Sequence, residues 1–358
     1  MHDTRTAVKP QRESRAPGRQ SPGGRAIALL VLLALLVVAV FLSLAVGSRP
    51  MSLDVVWGAL TSGDVPAADR AAAADRAAVV DLRLPRTVLG ILVGAGLAVA
   101  GAIIQAVTRN PLADPGILGV TSGSAFMVAV AVGFLGITTP SGYVWFALAG
   151  ALLASVVVYL IGSAGGRSAG PAQLTLAGVA LSAVLSGLVS AIRLTDPQSF
   201  AAIQTWESGS FQDRGWDVIV PVLPFVLAGL LLALALAGSL NALALGDDLA
   251  SALGSSVLRT RVLAVVAVTL LAGGATAMGG PIIFVGLMVP HVARWIAGPD
   301  QRWIITYSML LGPVLVLVAD VLGRVVARPG EIPVGVITAF VGAPVLIWLV
   351  RRSRVIGL

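Results

Sequence analysis

LRLPRTVLGILVGAGLAVAGAIIQAVTRNPLADPGILGV, residues 82–120, decides the fold. From Pro85 to Val107 it is apolar, and after Arg86 it carries no charge until Arg109. At about 1.5 Å of rise per residue, a helix over this span crosses the ~30 Å hydrocarbon core of a bilayer. Arg83 and Arg86 bracket its start. Arg109 closes its end, and Asn110–Pro111–Leu112–Ala113–Asp114–Pro115–Gly116 turns the chain into the next apolar run. The span is rich in small residues: Gly94, Gly96, Ala98, Ala100, Gly101 and Ala102. Small residues let neighbouring backbones approach closely, so this helix belongs at the centre of a membrane bundle. Gly94, Gly96, Gly101 and the polar Gln105 are its candidate packing or pathway positions.

Composition supports a polytopic membrane protein. The chain has 358 residues, of which 57% are hydrophobic and 11% charged. A soluble domain does not need that much apolar surface. Without cysteine there is no disulfide, iron–sulfur cluster or thiolate metal site. The two histidines are His2 and His291, too few for a multi-histidine metal centre. The only lysine is Lys9, so neither a Walker A loop nor a Schiff-base lysine can be built in the apolar region. No cofactor, metal or catalytic residue is expected, and any ATP must be hydrolysed by another chain.

Ten apolar spans are expected, at about 26–47, 85–107, 116–136, 143–164, 172–194, 218–238, 261–278, 283–298, 303–323 and 333–350. The first is read as a retained helix behind a basic tail, residues 1–25, and residues 26–358 form one domain. The eighth is short and interrupted by Pro290. Ten spans put both ends on one side. With the N-terminus in the cytoplasm, 15 of 24 basic residues fall inside and 11 of 17 acidic residues outside. That matches the positive-inside rule, and it makes the net charge of +7 a membrane flank rather than a nucleic-acid groove. The outer segments 48–84 and 195–217 are long, the first with a short surface helix.

Two motifs carry candidate sites. On the inner side, Asp247 reads as an N-cap and Gly254 as the C′ residue of a short helix. Asp248 lies in its first turn, and Leu249, Ala250 and Leu253 are expected on one face. From the residues alone, that face meets either another chain or the membrane interface. On the outer side, Arg83 and Arg86 open the second span, and Arg324 ends the ninth. Guanidinium groups there can fork onto a partner's carboxylates, or snorkel and pair locally. Asp320 and Glu331 lie near Arg324 and Arg328, and charge pairing at the outer interface is the expected role for both. In the block Gly279–Arg294, Gly280 and Pro281 permit a bend, while Pro290 and His291 lie one turn from a membrane end. His291 is expected to be a hydrogen-bonded structural residue.

These blocks resemble the FecCD permease family, the membrane subunits of ATP-driven importers for ferric siderophores, haem and vitamin B12. The resemblance runs from about residue 82 to the C-terminus and includes LRLPR (82–86), GPIIFVGLMVPHVAR (280–294) and EIPVG (331–335). LTLAGVALSAVL (174–185), NALALGDDLASALGS (241–255) and HVARWIAGPDQRW (291–303) lie nearest the ferric-enterobactin-type subunits. It implies an all-α, BtuC-like fold of about ten transmembrane helices in the cytoplasmic membrane. It also implies a second permease, preferably a different one, two ATPase subunits, and a siderophore-binding protein above. Asp247–Gly254 would then be the coupling helix that meets an ATPase, and Arg83, Arg86 and Arg324 would dock acidic residues of the binding protein. Glu207 stands where family members commonly have an uncharged residue, so it is a candidate for altered specificity. A vitamin B12 or haem permease is the alternative within the family. An ion-coupled transporter would need buried acids near mid-membrane, but spans one to eight show none and Asp320 lies near the end of the ninth. A membrane enzyme would need a catalytic cluster, and none is seen.

Overall fold

The computed structural model describes residues 22–47, 51–61, 69–164, 170–194 and 197–353. The tail before Pro22, and with it most of the expected inner basic flank, lies outside the described residues. Every regular element within them is helical. In chain order the α-helices are α1 (Pro22–Ala45), α2 (Leu53–Thr61), α3 (Arg70–Ala77), α4 (Leu84–Thr108), α5 (Val120–Leu135), α6 (Pro140–Ser163) and α7 (Pro171–Arg193). They continue as α8 (Pro197–Glu207), α9 (Trp216–Ala244), α10 (Asp247–Ala252), α11 (Val257–Gly279), α12 (Val285–Ala297), α13 (Gln301–Val326) and α14 (Val334–Ser353). Seven helical runs are long and apolar enough to cross a membrane, and α5, α12 and α14 are shorter apolar helices. Together they match the ten expected spans one for one.

α4 is the centre. It packs against α13, α11, α9 and α12, and its residues from Leu89 to Val107 are almost all buried. Its glycines make this possible. A Cβ at Gly94 would stand 2.6 Å from the Gly312 carbonyl carbon on α13. A Cβ at Gly101 would overlap the Gly286 carbonyl on α12, and one at Gly96 would reach 3.1 Å from the Leu271 oxygen on α11. α4 thus touches three neighbours almost backbone to backbone, the geometry that replaces a hydrophobic driving force within lipid. The small residues serve helix contacts here. By contrast α1 and α7 bury only about a fifth of their apolar windows.

One expectation needs correction, and two gain detail. The second span is α4 as expected, but the helix runs into it from Arg70 through a π-helical stretch, Ala78–Arg83. Pro85 has no N–H to give to the carbonyl four residues back. A wider wrap, with the Leu84 N–H bonded to the Val79 carbonyl, accommodates that defect. The outer segment 195–217 is not only loop, since α8 occupies most of its first half. Finally, α12 is short, 13 residues, but Pro290 does not interrupt it. The carbonyl that Pro290 cannot bond is that of Gly286. Gln105 on α4 donates Nε2–H to it at 3.1 Å, and the Arg294 guanidinium donates to Gln105 Oε1 at 3.1 Å. A side chain from the central helix fills the gap left by the proline.

Candidate functional sites at the two faces of the bundle

At the end of the bundle expected to face outward, five segments converge: the end of α1, the start of α4, the turn after α8, the last turns of α13, and Glu331 before α14. Arg86 forks onto Asp320, with Nε–H and Nη2–H donating at 2.8–3.1 Å, while its Nη1–H reaches Glu331 Oε2 at 2.8 Å. Asp320 also holds Arg324 at 3.0 Å, one helical turn on. Arg324 donates further to the Ser43 carbonyl at 3.1 Å and to Ser43 Oγ at 3.2 Å. Arg83 is buried and donates Nη1–H to the Leu44 and Ala45 carbonyls at 2.7 and 2.9 Å. Those carbonyls belong to the last turn of α1, where intrahelical partners run out and a cation is favoured. Arg328 caps the same end through the Gly47 carbonyl at 2.7 Å.

This network lines one wall of an outer cavity of about 590 Å³. Gly47, Met51, Arg83, Arg86, Gln212, Arg214, Arg324 and Glu331 are among its lining residues. Gln212 donates to Glu331 at 3.1 Å. Burial raises the Glu331 pKa, but the charge and hydrogen bond of Arg86 outweigh it, and the carboxyl ends below its ordinary value. Arg214 is buried against Tyr143, donating to its hydroxyl at 3.3 Å, and burial lowers the guanidinium pKa.

The three outer arginines are therefore not alike, and not the hydrated, flexible groups expected of exposed docking residues. Arg83 and Arg324 hold α1 onto the bundle from buried positions, because the carbonyls at the end of α1 need donors. Arg86 is the most exposed of the three, with a side chain 15% exposed. Asp320 pairs with Arg324 as expected, but Arg86, an unexpected partner, joins Asp320 to Glu331, and Arg328 donates to the Gly47 carbonyl. Glu207 is engaged as well: Arg193 donates to it at 2.6 Å, and the same guanidinium lies over the Phe200 ring. Gly280 takes a positive φ of 74°, and a Cβ there would strike the Trp206 carbonyl. Gly280 and Pro281 therefore knit the end of α11 to α8 and to Gly335, rather than hinging in open space.

At the opposite end, expected to face inward, α10 is a six-residue helix closed as expected at its C-terminus. Gly254, at φ 77°, and Ser255 return N–H groups to the Ser251 and Ala250 carbonyls at 2.9 Å. Its N-terminus is different. Gly246 is the capping residue, and Asp247 turns its carboxylate outward to Arg109 at 2.9 Å and to Arg261 at 2.9–3.0 Å. Two cations draw that carboxylate away from the helix N–H groups. Ala250 does not share a face with Leu249 and Leu253. It is fully buried, while Leu249 is 55% and Leu253 66% exposed. Asp248 is exposed beside them. His291 lies deeper, half-buried, with Nδ1 at 3.3 Å from the Leu287 carbonyl, a structural contact.

Residues 35–352 match the FecCD transport family. The chain belongs to that family. It is 46% identical over 330 residues to the ferric enterobactin transport system permease protein FepD of Escherichia coli K12, covering 92% of this chain and 96% of that one. It is 36% identical over 340 residues to the iron(3+)-hydroxamate import system permease protein FhuG of Bacillus subtilis 168, with 92% and 97% covered. Among solved structures it resembles a metal-chelate type ABC transporter in an inward-facing conformation, with TM-score 0.79 and 30% identity over 91% of this chain and 99% of that one. A FecCD chain of this kind is a multi-pass permease of an ABC importer, and its ten apolar helices are the translocation subunit's fold.

Sequence reasoning missed the partners. Nothing in the text linked Arg86 to Asp320 or Arg83 to α1. It also missed Asp247 as a bridge between the ends of α4 and α11. One pair was legible, since Asp320 and Arg324 are spaced i, i+4 and pair as expected.

Proposed function

We propose that this chain is the permease subunit through which an ATP-binding-cassette importer moves a ferric siderophore across the cytoplasmic membrane. The carrying observation is end-to-end identity, 46%, with a ferric enterobactin permease. Two ATPase subunits meet the inner face at α10, and a siderophore-binding protein docks at the outer face around Arg86. A second permease, preferably a different FecCD chain, completes the pathway. Nucleotide binding shifts the bundle between outward- and inward-open states through the ATPases' differing affinity for each. Both termini are cytoplasmic on this reading, so a Ser353→Cys variant labels only from the inner side. An ion-coupled route fits less well, because the buried acid Asp320 is already held by Arg86 and Arg324. The test is uptake in a deletion strain complemented with this chain. Labelled ferric siderophore should enter, while cobalamin and haem should not. Restored cobalamin or haem uptake without siderophore uptake would move the chain to the other cargo of its family.

A further inference from the structure

α2 has three faces, and they differ. At about 100° per residue, Val56 and Ala59 fall on one arc, and both are buried. They pack with Leu44 near the end of α1 and Val79 in the π-helical stretch, and Met51 and Leu84 lie against this cluster. Leu60, Leu53 and Trp57 fall on the adjacent arc and are 38%, 61% and 63% exposed. Thr61 and Asp54 follow on the next arc, also exposed. The order around the helix is therefore core, exposed apolar, exposed polar.

We propose that α2 lies in the outer membrane–water boundary, with Leu53, Trp57 and Leu60 inserted among lipid acyl chains. Three observations select lipid as the occupant. First, α2 sits at the right height. It packs on Leu44, in the last turn of a helix whose apolar run ends there, and on the residues that lead into α4. Second, the end of α1 on which α2 packs carries exposed apolar side chains of its own: Phe41 and Leu42 are each 43% exposed, and Val38 and Leu30 below them 54% and 65%. Third, an amphipathic helix at this boundary must present apolar side chains on one arc and polar ones on the next, and tryptophan is favoured there.

The consequence reaches the outer cavity. Gly47 and Met51 line that cavity and lead directly into α2. Lipid anchorage of α2 would fix this wall of the cavity against the membrane plane. The surface is independent of which cargo the chain carries.

The chain is free of cysteine, so single-cysteine spin labelling is direct. Leu53→Cys, Trp57→Cys and Leu60→Cys are compared with Asp54→Cys and Thr61→Cys, with Val56→Cys as a buried reference. Each variant is assembled with its partner subunits in nanodiscs and labelled with a nitroxide. Collision rates are measured with oxygen, which concentrates in lipid, and with nickel–EDDA, which stays in water. Labels at 53, 57 and 60 should meet oxygen several-fold more readily than nickel. Labels at 54 and 61 should show the reverse, and the label at 56 should meet neither. Ready access of nickel to 53 and 57 would place the stripe in water and overturn the proposal. Exclusion of both reagents from 53, 57 and 60 would put a protein there instead, and would overturn it equally.

Discussion

Arg86 and Asp320 stand 234 residues apart in the chain and meet in three hydrogen bonds of 2.8–3.1 Å. Their contact closes the outer end of the α4–α13 pair, whose middle is closed by Gly94 against Gly312. Asp320 is 2% exposed and also holds Arg324. A buried charge is costly alone, and removing Asp320 leaves buried Arg324 without its anion and partly buried Arg86 with Glu331 only. Asp320→Ala should therefore destabilise the assembled permease by about 3–5 kcal/mol, the usual range for breaking a buried pair from one side. Thermal unfolding in nanodiscs reads this directly. An unchanged midpoint would mean that the network is ornamental to the fold.

Glu331 adds a pH dependence with a definite sign. Its folded pKa lies below its ordinary value of 4.5, because Arg86 outweighs the cost of burial. A carboxyl depressed in this way stabilises the fold above its unfolded pKa, and the contribution is lost as pH falls through the folded pKa. Wild type should exceed Glu331→Gln in stability at neutral pH. The gap should close on acidification below 4.5. A gap that stays constant would remove the ion pair as its cause.

The same residue bears on docking. If the binding protein presents a carboxylate to Arg86, Glu331 already occupies the Nη1 that would receive it. Glu331→Gln should then tighten docking, while Arg86→Gln weakens it. Affinity is best measured at low salt, since exposed pairs are screened over about 8–10 Å at physiological ionic strength. Weaker docking of Glu331→Gln would make Glu331 part of the platform rather than a competitor. Charge reversals at Arg83 and Arg324 test docking poorly, because both side chains also hold α1 in place.

The membrane architecture was readable in the text because lipid imposes it. Each apolar run announced a helix, and the small residues of α4 announced its central place. Composition records what a helix must face. It does not record which distant residue a side chain meets. Arg83 looked like an exposed cation because its partners are main-chain carbonyls of α1, which have no sequence signature. Ala250 looked like part of an apolar stripe because a six-residue helix is too short for its buried face to be fixed by pattern alone. Gln105 was legible only as a polar packing or pathway candidate. Its role follows from Pro290, and the link appears only when α4 and α12 are placed side by side.

The glycines of α4 give a graded test of that placement. A Cβ at Gly101 would overlap the Gly286 carbonyl, where no flexible atom can give way. At Gly94 the 2.6 Å approach to Gly312 is nearly as severe, whereas at Gly96 the 3.1 Å approach to the Leu271 oxygen needs only a small shift. Gly101→Ala should abolish folded permease, Gly94→Ala should strongly reduce it, and Gly96→Ala should leave most of it, as read by size-exclusion yield. Overpacking elsewhere costs roughly 1–3 kcal/mol, and backbone contact leaves less room to relax. Equal yields from all three would contradict the close crossings.

The inner face separates fold from coupling within one short helix. Ala250 is fully buried, and enlarging it in Ala250→Leu should lower permease stability before any partner is involved. Leu249 and Leu253 are exposed, so Leu249→Asp or Leu253→Asp should leave expression, insertion and thermal stability unchanged. Against an ATPase subunit the outcome differs. An aspartate forced into an apolar contact loses its water without gaining a partner, so the bound state is penalised and the free state is not. Asp247 sharpens the contrast. Its links to Arg109 and Arg261 tie α10 to the ends of α4 and α11, a route by which a coupling helix would reach the central helix. Asp247→Asn should therefore retain the ATPase subunits yet weaken the stimulation of hydrolysis by loaded binding protein. Leu249→Asp and Leu253→Asp should weaken ATPase association itself by at least ~tenfold, about 1.4 kcal/mol. Full association and full stimulated hydrolysis in both leucine variants would show that α10 rests on the membrane and transmits nothing.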